Sequence, residues 1–242
     1  MKKVRFVLSE VALNQVETVY ETIKSLVKLK DYKYLETYLN TTVLSAKQYY
    51  CLLDELIMSD RLFNDIKFAK ILFSSSIQHL NDEYCNIVGE PLAQTLLYDV
   101  HNLSNEMVYE LFTDKETKIR FDMENINCDN VLQALMDVSI EFSGKQFIEL
   151  TKLFVSNKKI NTLNVNDFGK TALDLFLYRK RTNKEVFEIL IKKFYLDEKK
   201  KFELNIKDKI SDYLKYANIE YKSAKGEFRF NIEEKEYNRL FN

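Results

Sequence analysis

Few side chains in this chain could support acid–base, nucleophilic or metal chemistry, and they lie far apart. There are two histidines, His79 and His101, and three cysteines, Cys51, Cys85 and Cys128. Catalysis by such groups requires them within hydrogen-bond reach of a serine, a cysteine or a carboxylate. Both histidines fall in polar stretches between amphipathic runs, so we expect surface loop residues. The sequence predicts no catalytic residue and no enzyme.

Metal and phosphate sites are not predicted either. A site built from Cys85, His101 and Cys128 can be drawn, but its spacing matches no zinc pattern and the chain has no close CxxC pair. We expect reduced, partly buried thiols, with no metal and no cofactor. Gly169-Lys170-Thr171 is similar to the end of a phosphate-binding loop, yet the upstream glycine and the preceding strand are missing.

The elements that would position any functional side chain follow a repeat of about 40 residues. Six leucines open similar amphipathic stretches at spacings of 39, 40, 40, 41 and 41 residues: Leu13, Leu52, Leu92, Leu132, Leu173 and Leu214. A second apolar residue follows four positions later in the central units, which places both on one helix face. A second amphipathic run then follows each polar break, at 66–73, 107–112, 147–155 and 186–191. Each unit is therefore predicted to be a helix pair.

Composition favours the same fold class. With only 4 glycines and 1 proline the chain has few of the residues on which tight hairpin turns depend, so an all-β sandwich or barrel is not expected. Self-similarity at this period is typical of stacked units that share a core. We predict an all-α helical-repeat solenoid over residues 1–217, with an N-terminal cap at about 1–45. Residues 218–242 are predicted to form a cap or tail, with a small hairpin around Lys225-Gly226.

One unit carries a more specific signal. It reads Asn166-Asp167-Phe168-Gly169-Lys170-Thr171-Ala172-Leu173, followed by an apolar helix at 185–193. This unit resembles an ankyrin repeat, in which D-x-x-G-x-T-P-L-H precedes the first helix. Gly169 supplies the freedom that a sharp turn needs, and the Thr171 hydroxyl is placed to cap the following helix. The period exceeds the 33 residues of that family, so HEAT-like stacking, at about 40 to 47, stays open.

Charge is distributed unevenly along the chain. Residues 81–141 carry 13 acidic and 3 basic side chains, whereas residues 152–201 carry 13 basic and 6 acidic ones. The formal net charge of −1 hides this asymmetry. Solvated helix faces explain such charges in most proteins, but the asymmetry also suits electrostatic steering of a partner. The basic half, with nearby aromatics, leaves nucleic-acid binding as an alternative function.

The resemblance implies a noncatalytic scaffold that binds another protein through its loops and first helices. By the leucine register, Met58, Tyr98, Val138 and Arg179 occupy one column of equivalent positions, flanked by Tyr178 and Arg181. Aromatic, methionine and arginine side chains are enriched in interface cores, so these six residues are the predicted partner-binding set. They are equally compatible with a place in the core.

Composition and the degenerate repeats suggest an effector of an intracellular bacterium or virus that binds a host protein. The alternatives are a nucleic-acid-binding protein and a HEAT-like adaptor. Because charged residues interrupt the N-terminal apolar run, no signal peptide is predicted, and no stretch is long enough to span a membrane. The expected location is the cytoplasm, or a host cell reached without a classical signal.

Overall fold

The computed structural model describes residues 8–59, 62, 65–75, 85–86, 88–98, 104–138, 142–179, 183–197, 221–224 and 227–230. Within these ranges the chain is mainly helical, as the composition predicts. The helices are α1 (Glu10–Leu29), α2 (Tyr32–Thr41), α3 (Ala46–Ser59), α4 (Ile66–Ser74), α5 (Leu92–Tyr98), α6 (Asn105–Thr113), α7 (Val131–Asp137), α8 (Gly144–Ser156), α9 (Ala172–Tyr178) and α10 (Lys184–Asp197).

Two short strands follow near the C-terminal end. Strand β1 (Tyr221–Ala224) pairs antiparallel with β2 (Glu227–Phe230), with Tyr221 opposite Phe230 and Ala224 opposite Glu227. They flank Lys225-Gly226, where the sequence predicts a hairpin. Leu214, which opens the last of the amphipathic stretches in the sequence, lies outside the described residues, as does the rest of the predicted cap or tail.

Local signals set the ends of several helices. The Ser9 hydroxyl caps α1 by accepting from the Ala12 amide at 3.3 Å, and α1 ends at Lys30, whose φ is 57°. Ser143 and Gln146 form a reciprocal capping box at the start of α8. Thr171 and Asp174 do the same for α9, which confirms the capping role predicted for Thr171.

The chain divides into two compact units. Unit 1 comprises Met1–Ile126 and Val138–Phe142, and unit 2 comprises Asn127–Asp137 and Ser143–Asn242. The predicted boundary, with a cap after residue 217, stays a prediction.

In unit 1, α1 packs against α2 and α3, and α4 packs against α2 and α6. The core includes Ile23, Leu35, Leu52, Phe68 and Leu111, none of which retains solvent exposure. First helices therefore lie on first helices and second helices on second helices, which is how helix pairs bury apolar faces that no single pair could cover.

In unit 2, α7 packs against α8 and α9, and α10 packs against α8 and α9. The rings of Phe147, Phe176 and Phe187 stack in succession, with centroids 6.5 and 6.2 Å apart. Each of these rings is 4% exposed or less. Two helix pairs thus share one aromatic core in this unit.

Candidate interaction surface

Helices α5, α7 and α9 each begin after a loop of the same backbone design. We name these loop A (residues 86 and 88–90), loop B (125–129) and loop C (164–170). Each contains a residue with left-handed backbone three positions before its helix begins: Gly89 with φ 83°, Cys128 with φ 61° and Gly169 with φ 69°. Of these three residues, only Gly169 of loop C belongs to the motif that resembles an ankyrin repeat. A cysteine gives no sequence signal for left-handed backbone, so the conformation of Cys128 could not be read from the chain.

Loops A and C close by the same hydrogen bonds. The Asn86 carboxamide oxygen accepts from the amides of Val88 and Glu90, at 3.0 and 2.9 Å. The Asn166 oxygen accepts likewise from Phe168 and Lys170, at 3.1 and 2.9 Å. Asparagine is favoured here because its short side chain can replace a backbone acceptor. The Asn-x-x-Gly spacing is present in both loops. Aligning the chain on its leucines misses this match, because Asn86 and Asn166 do not fall at equivalent distances from Leu92 and Leu173.

In unit 2, loop C is fastened to the adjoining residues of loop B. The Asp167 amide donates to the Asn127 carbonyl at 3.0 Å, and Asn166 Nδ2 donates to Asp129 Oδ1 at 2.8 Å. Asn164 Nδ2 donates to the Cys128 carbonyl. These bonds span 36 to 40 residues of sequence, so they fix loop C to the residues of loop B that lie in the same unit.

Gln133 lies on helix α7, is only 1% exposed and holds loop C through side-chain hydrogen bonds. Its Nε2 donates to the carbonyls of Asn164 and Lys170, at 3.2 and 2.9 Å. Its Oε1 accepts from the Asn130 amide and from Asn164 Nδ2, both at 3.0 Å. A buried carboxamide with its donors and acceptors satisfied holds the loop in one conformation.

An exposed surface of unit 2 stands on this scaffold. We call it the loop C surface; it consists of Phe168, Lys170, Tyr178 and the Arg179–Asp137 pair. Phe168 is 68% exposed and Tyr178 is 67% exposed. Lys170 Nζ lies 4.2 Å from the Tyr178 ring centroid, a cation–π contact that orients both side chains. Arg179 Nε donates to Asp137 Oδ1 at 2.9 Å.

The predicted binding set is only partly assembled. Tyr178 and Arg179 lie side by side on the loop C surface, and Tyr98, the last residue of α5, is partly buried. Val138 is 2% exposed, so of the two places that the sequence left open for it, an exposed strip and the core, it takes the core. The side chain of Met58 and all of Arg181 lie outside the described residues.

The predicted column of equivalent positions also needs correction. Helices α5, α7 and α9 are each seven residues long and end at Tyr98, Asp137 and Tyr178. These three residues are therefore equivalent, and Val138 and Arg179 follow one position later. The error arises from aligning Leu92 with Leu132, since Leu92 is the first residue of α5 and Leu132 the second of α7. Phe168, the most exposed ring of the surface, is missing from the predicted set.

The groups considered for chemistry show no convergence in the described part of the chain. No cluster of three or more histidine, cysteine or acidic side chains suited to a metal is found there. Burial raises the pKa of the Cys51 and Cys85 thiols. His79 and His101 lie outside the described residues.

Two polar contacts in unit 1 perturb titration. The hydrogen bond from the Tyr32 hydroxyl to Asp65, 2.5 Å long, raises the pKa of Tyr32. The Glu116 backbone amide and the Lys70 ammonium lower the pKa of Asp114, and Lys70 Nζ lies 3.0 Å from Asp114 Oδ2. The first contact joins the start of α2 to the N-cap of α4, and the second joins α4 to the residue that follows α6, so both have a structural explanation.

Comparison with known proteins finds no matching family model, no matching curated protein and no matching solved structure. Among the described helices, none combines the length and apolar character that crossing a bilayer requires.

Proposed function

We propose that this protein is a noncatalytic scaffold built of ankyrin-like helix pairs, and that it binds another protein through the loop C surface. The observation that carries the proposal is the exposure of Phe168 and Tyr178. Phe168 stands on loop C, whose backbone is held by hydrogen bonds from Gln133 and Asn166, and Tyr178 is the last residue of α9. Single exposed apolar residues such as Leu29 are common on protein surfaces, but aromatic side chains held on fixed backbone are enriched among the anchors of interfaces.

The repeat architecture is supported by the packing of each unit. First helices lie on first helices in both units, and the left-handed residue recurs three positions before α5, α7 and α9. Loops B and C are joined by backbone and asparagine hydrogen bonds, as stacked loops of a solenoid would be. A HEAT-like stack offers no reason for loops of this repeated design.

The energetics suit a preformed binding surface. Fully burying a phenylalanine side chain contributes about 1.5–3 kcal/mol, and because Phe168 and Tyr178 are already about one-third buried, the two rings together supply at most roughly 2–4 kcal/mol. A micromolar complex needs about 8 kcal/mol. The remainder must come from surrounding contacts, and the fixed loop reduces the ordering entropy that binding has to overcome.

Affinity capture from a eukaryotic lysate tests this function, since the sequence suggests a host protein as the partner. The full chain is compared with the double variant Phe168→Ser, Tyr178→Ser. Leu29→Ser is the matched control, because Leu29 is 75% exposed and lies at the end of α1. We expect proteins captured by the wild type and the control to be lost with the double variant. Equal capture by all three would refute the loop C surface as the binding site.

A further inference from the structure

We propose that the loop C surface recognises an acidic segment of the partner protein, with a carboxylate directed at Lys170 and an apolar side chain packed on the exposed rings. This inference rests on the proposed function and adds the chemistry of the ligand. The inference depends on the two cations of this surface: Arg179 is paired with Asp137, whereas Lys170 forms no ion pair with a carboxylate among the described residues.

Lys170 is held in place along both its backbone and its side chain. Its carbonyl accepts from Gln133 Nε2 and from the Asn166 amide, and its own amide donates to Asn166 Oδ1. Its ammonium then rests 4.2 Å from the centre of the Tyr178 ring. A lysine that is already ordered loses less conformational entropy on binding than a free surface lysine.

The other cation of this surface is already paired. Arg179 donates to Asp137, and elsewhere in the unit Lys152 pairs with Glu185 at 2.7 Å. In the part of the chain that the structure describes, no carboxylate forms an ion pair with Lys170. Lys170 is thus a positioned positive charge on the exposed Tyr178 ring, two residues along the chain from the exposed Phe168, and it is complementary to a carboxylate next to an apolar residue.

The same features disfavour a nucleic acid as the ligand. A single strand needs free ring faces for its bases and several cations along its backbone. Here the Lys170 ammonium covers one face of Tyr178, and the neighbouring Arg179 is already paired with Asp137. One unpaired cation matches one carboxylate better than it matches a chain of phosphates.

The test uses the full chain and an array of ten-residue synthetic peptides. One set contains aspartate or glutamate next to phenylalanine or leucine, a second replaces each acid with its amide, and a third replaces each acid with lysine. The strongest acidic peptide is then labelled for fluorescence anisotropy beside a 20-nucleotide single-stranded DNA, at low and high salt. We expect the wild type to prefer the acidic set and to bind the DNA weakly.

Charge reversal at Lys170 distinguishes a specific contact between Lys170 and a peptide carboxylate from a general attraction between the protein's positive charge and an acidic peptide. We expect Lys170→Glu to weaken binding of the acidic peptide about tenfold and to strengthen binding of its lysine counterpart. The control is Lys159→Glu, an exposed lysine of the same unit, which should change affinity less than twofold. Lys170→Met keeps the apolar stem, so it should lose the charge preference while retaining the fold, as checked by circular dichroism.

Several outcomes would overturn the inference. They are equal binding of the acidic and amide sets, an unchanged affinity for Lys170→Glu, an equal loss with Lys159→Glu, or DNA binding that exceeds peptide binding and falls steeply with salt. If the amide set binds equally well and Phe168→Ser still abolishes binding, the acidic preference fails while the proposed function stands. Failure of the lysate capture would instead count against the proposed function itself.

Discussion

Substituting Gly89 and Gly169 with alanine separates two costs of placing a side chain in these loops, backbone strain and steric overlap with a neighbouring side chain. Both glycines have left-handed backbone, with φ of 83° and 69°. Their surroundings differ. A Cβ on Gly89 would lie 2.1 Å from Cγ2 and 3.2 Å from Cβ of Ile126, whereas a Cβ on Gly169 would meet no atom within 4 Å. Gly169→Ala therefore reports backbone strain alone, and Gly89→Ala reports strain plus steric overlap.

The expected magnitudes follow from these contacts. Left-handed backbone costs an alanine about 1–2 kcal/mol, and the reduced freedom of the unfolded chain offsets about 0.4–1 kcal/mol of that. Gly169→Ala should thus lower the free energy of unfolding by about 1 kcal/mol. In Gly89→Ala the Ile126 side chain must turn away from its present position, and a side chain held about 30° off its rotamer costs roughly 0.5–1.5 kcal/mol. We expect a total of about 2 kcal/mol.

Urea unfolding followed by circular dichroism measures both values. With a slope of about 2 kcal/mol per molar, the midpoint should fall by roughly 0.5 M for Gly169→Ala and by roughly 1 M for Gly89→Ala. Ile126→Ala supplies the control, because it removes Cγ2 and leaves only the 3.2 Å approach of Cβ, so in its background the cost of Gly89→Ala should fall towards that of Gly169→Ala. Equal costs for the two glycine variants, or no rescue by Ile126→Ala, would refute the close approach of loops A and B.

Three further predictions concern polar and titratable groups. Gln133→Ala should destabilise the protein by about 3 kcal/mol, since it orphans loop C carbonyls, and hydrogen exchange of residues 164–170 should rise more than that of α2. Because the pKa of Asp114 is lowered in the folded state, its contribution to stability is present above the unfolded value near 3.8 and is lost as pH falls through the folded value. Asp114→Asn should therefore flatten the acid limb of the stability profile below about pH 4, and an unchanged limb would contradict this assignment. Burial raises the pKa of Cys51 and Cys85, so at pH 7.5 both should react with iodoacetamide more slowly than glutathione does, as followed by mass spectrometry.

Much of the local structure is predictable from the chain. The four predicted second helices fall within α4, α6, α8 and α10, and each leucine that opens a central unit lies in a first helix. The turn at Gly169 and the cap at Thr171 are also where the motif places them. These features depend on residues within a few positions of one another, and such short-range preferences are encoded directly in the sequence.

The candidate surface was only partly predictable. Tyr178 and Arg179 could be named from their position at the end of a first helix, but Val138 at the equivalent end of α7 is buried. A one-residue error in register moves a side chain about 100° around a helix, which is enough to exchange core for surface. Nothing local distinguishes an exposed Phe168 from a buried one.

The sequence by itself determined where most of the helices lie, the turn at Gly169 and the cap at Thr171, because each depends on side chains within one or two helical turns of one another. The tertiary structure alone decided which loops are fastened together, where Lys170 rests and which aromatic rings stay in water. Those features depend on Gln133, Asn164 and Asn166 meeting groups some 31 to 37 residues away, and such meetings are set by the packing of whole helices.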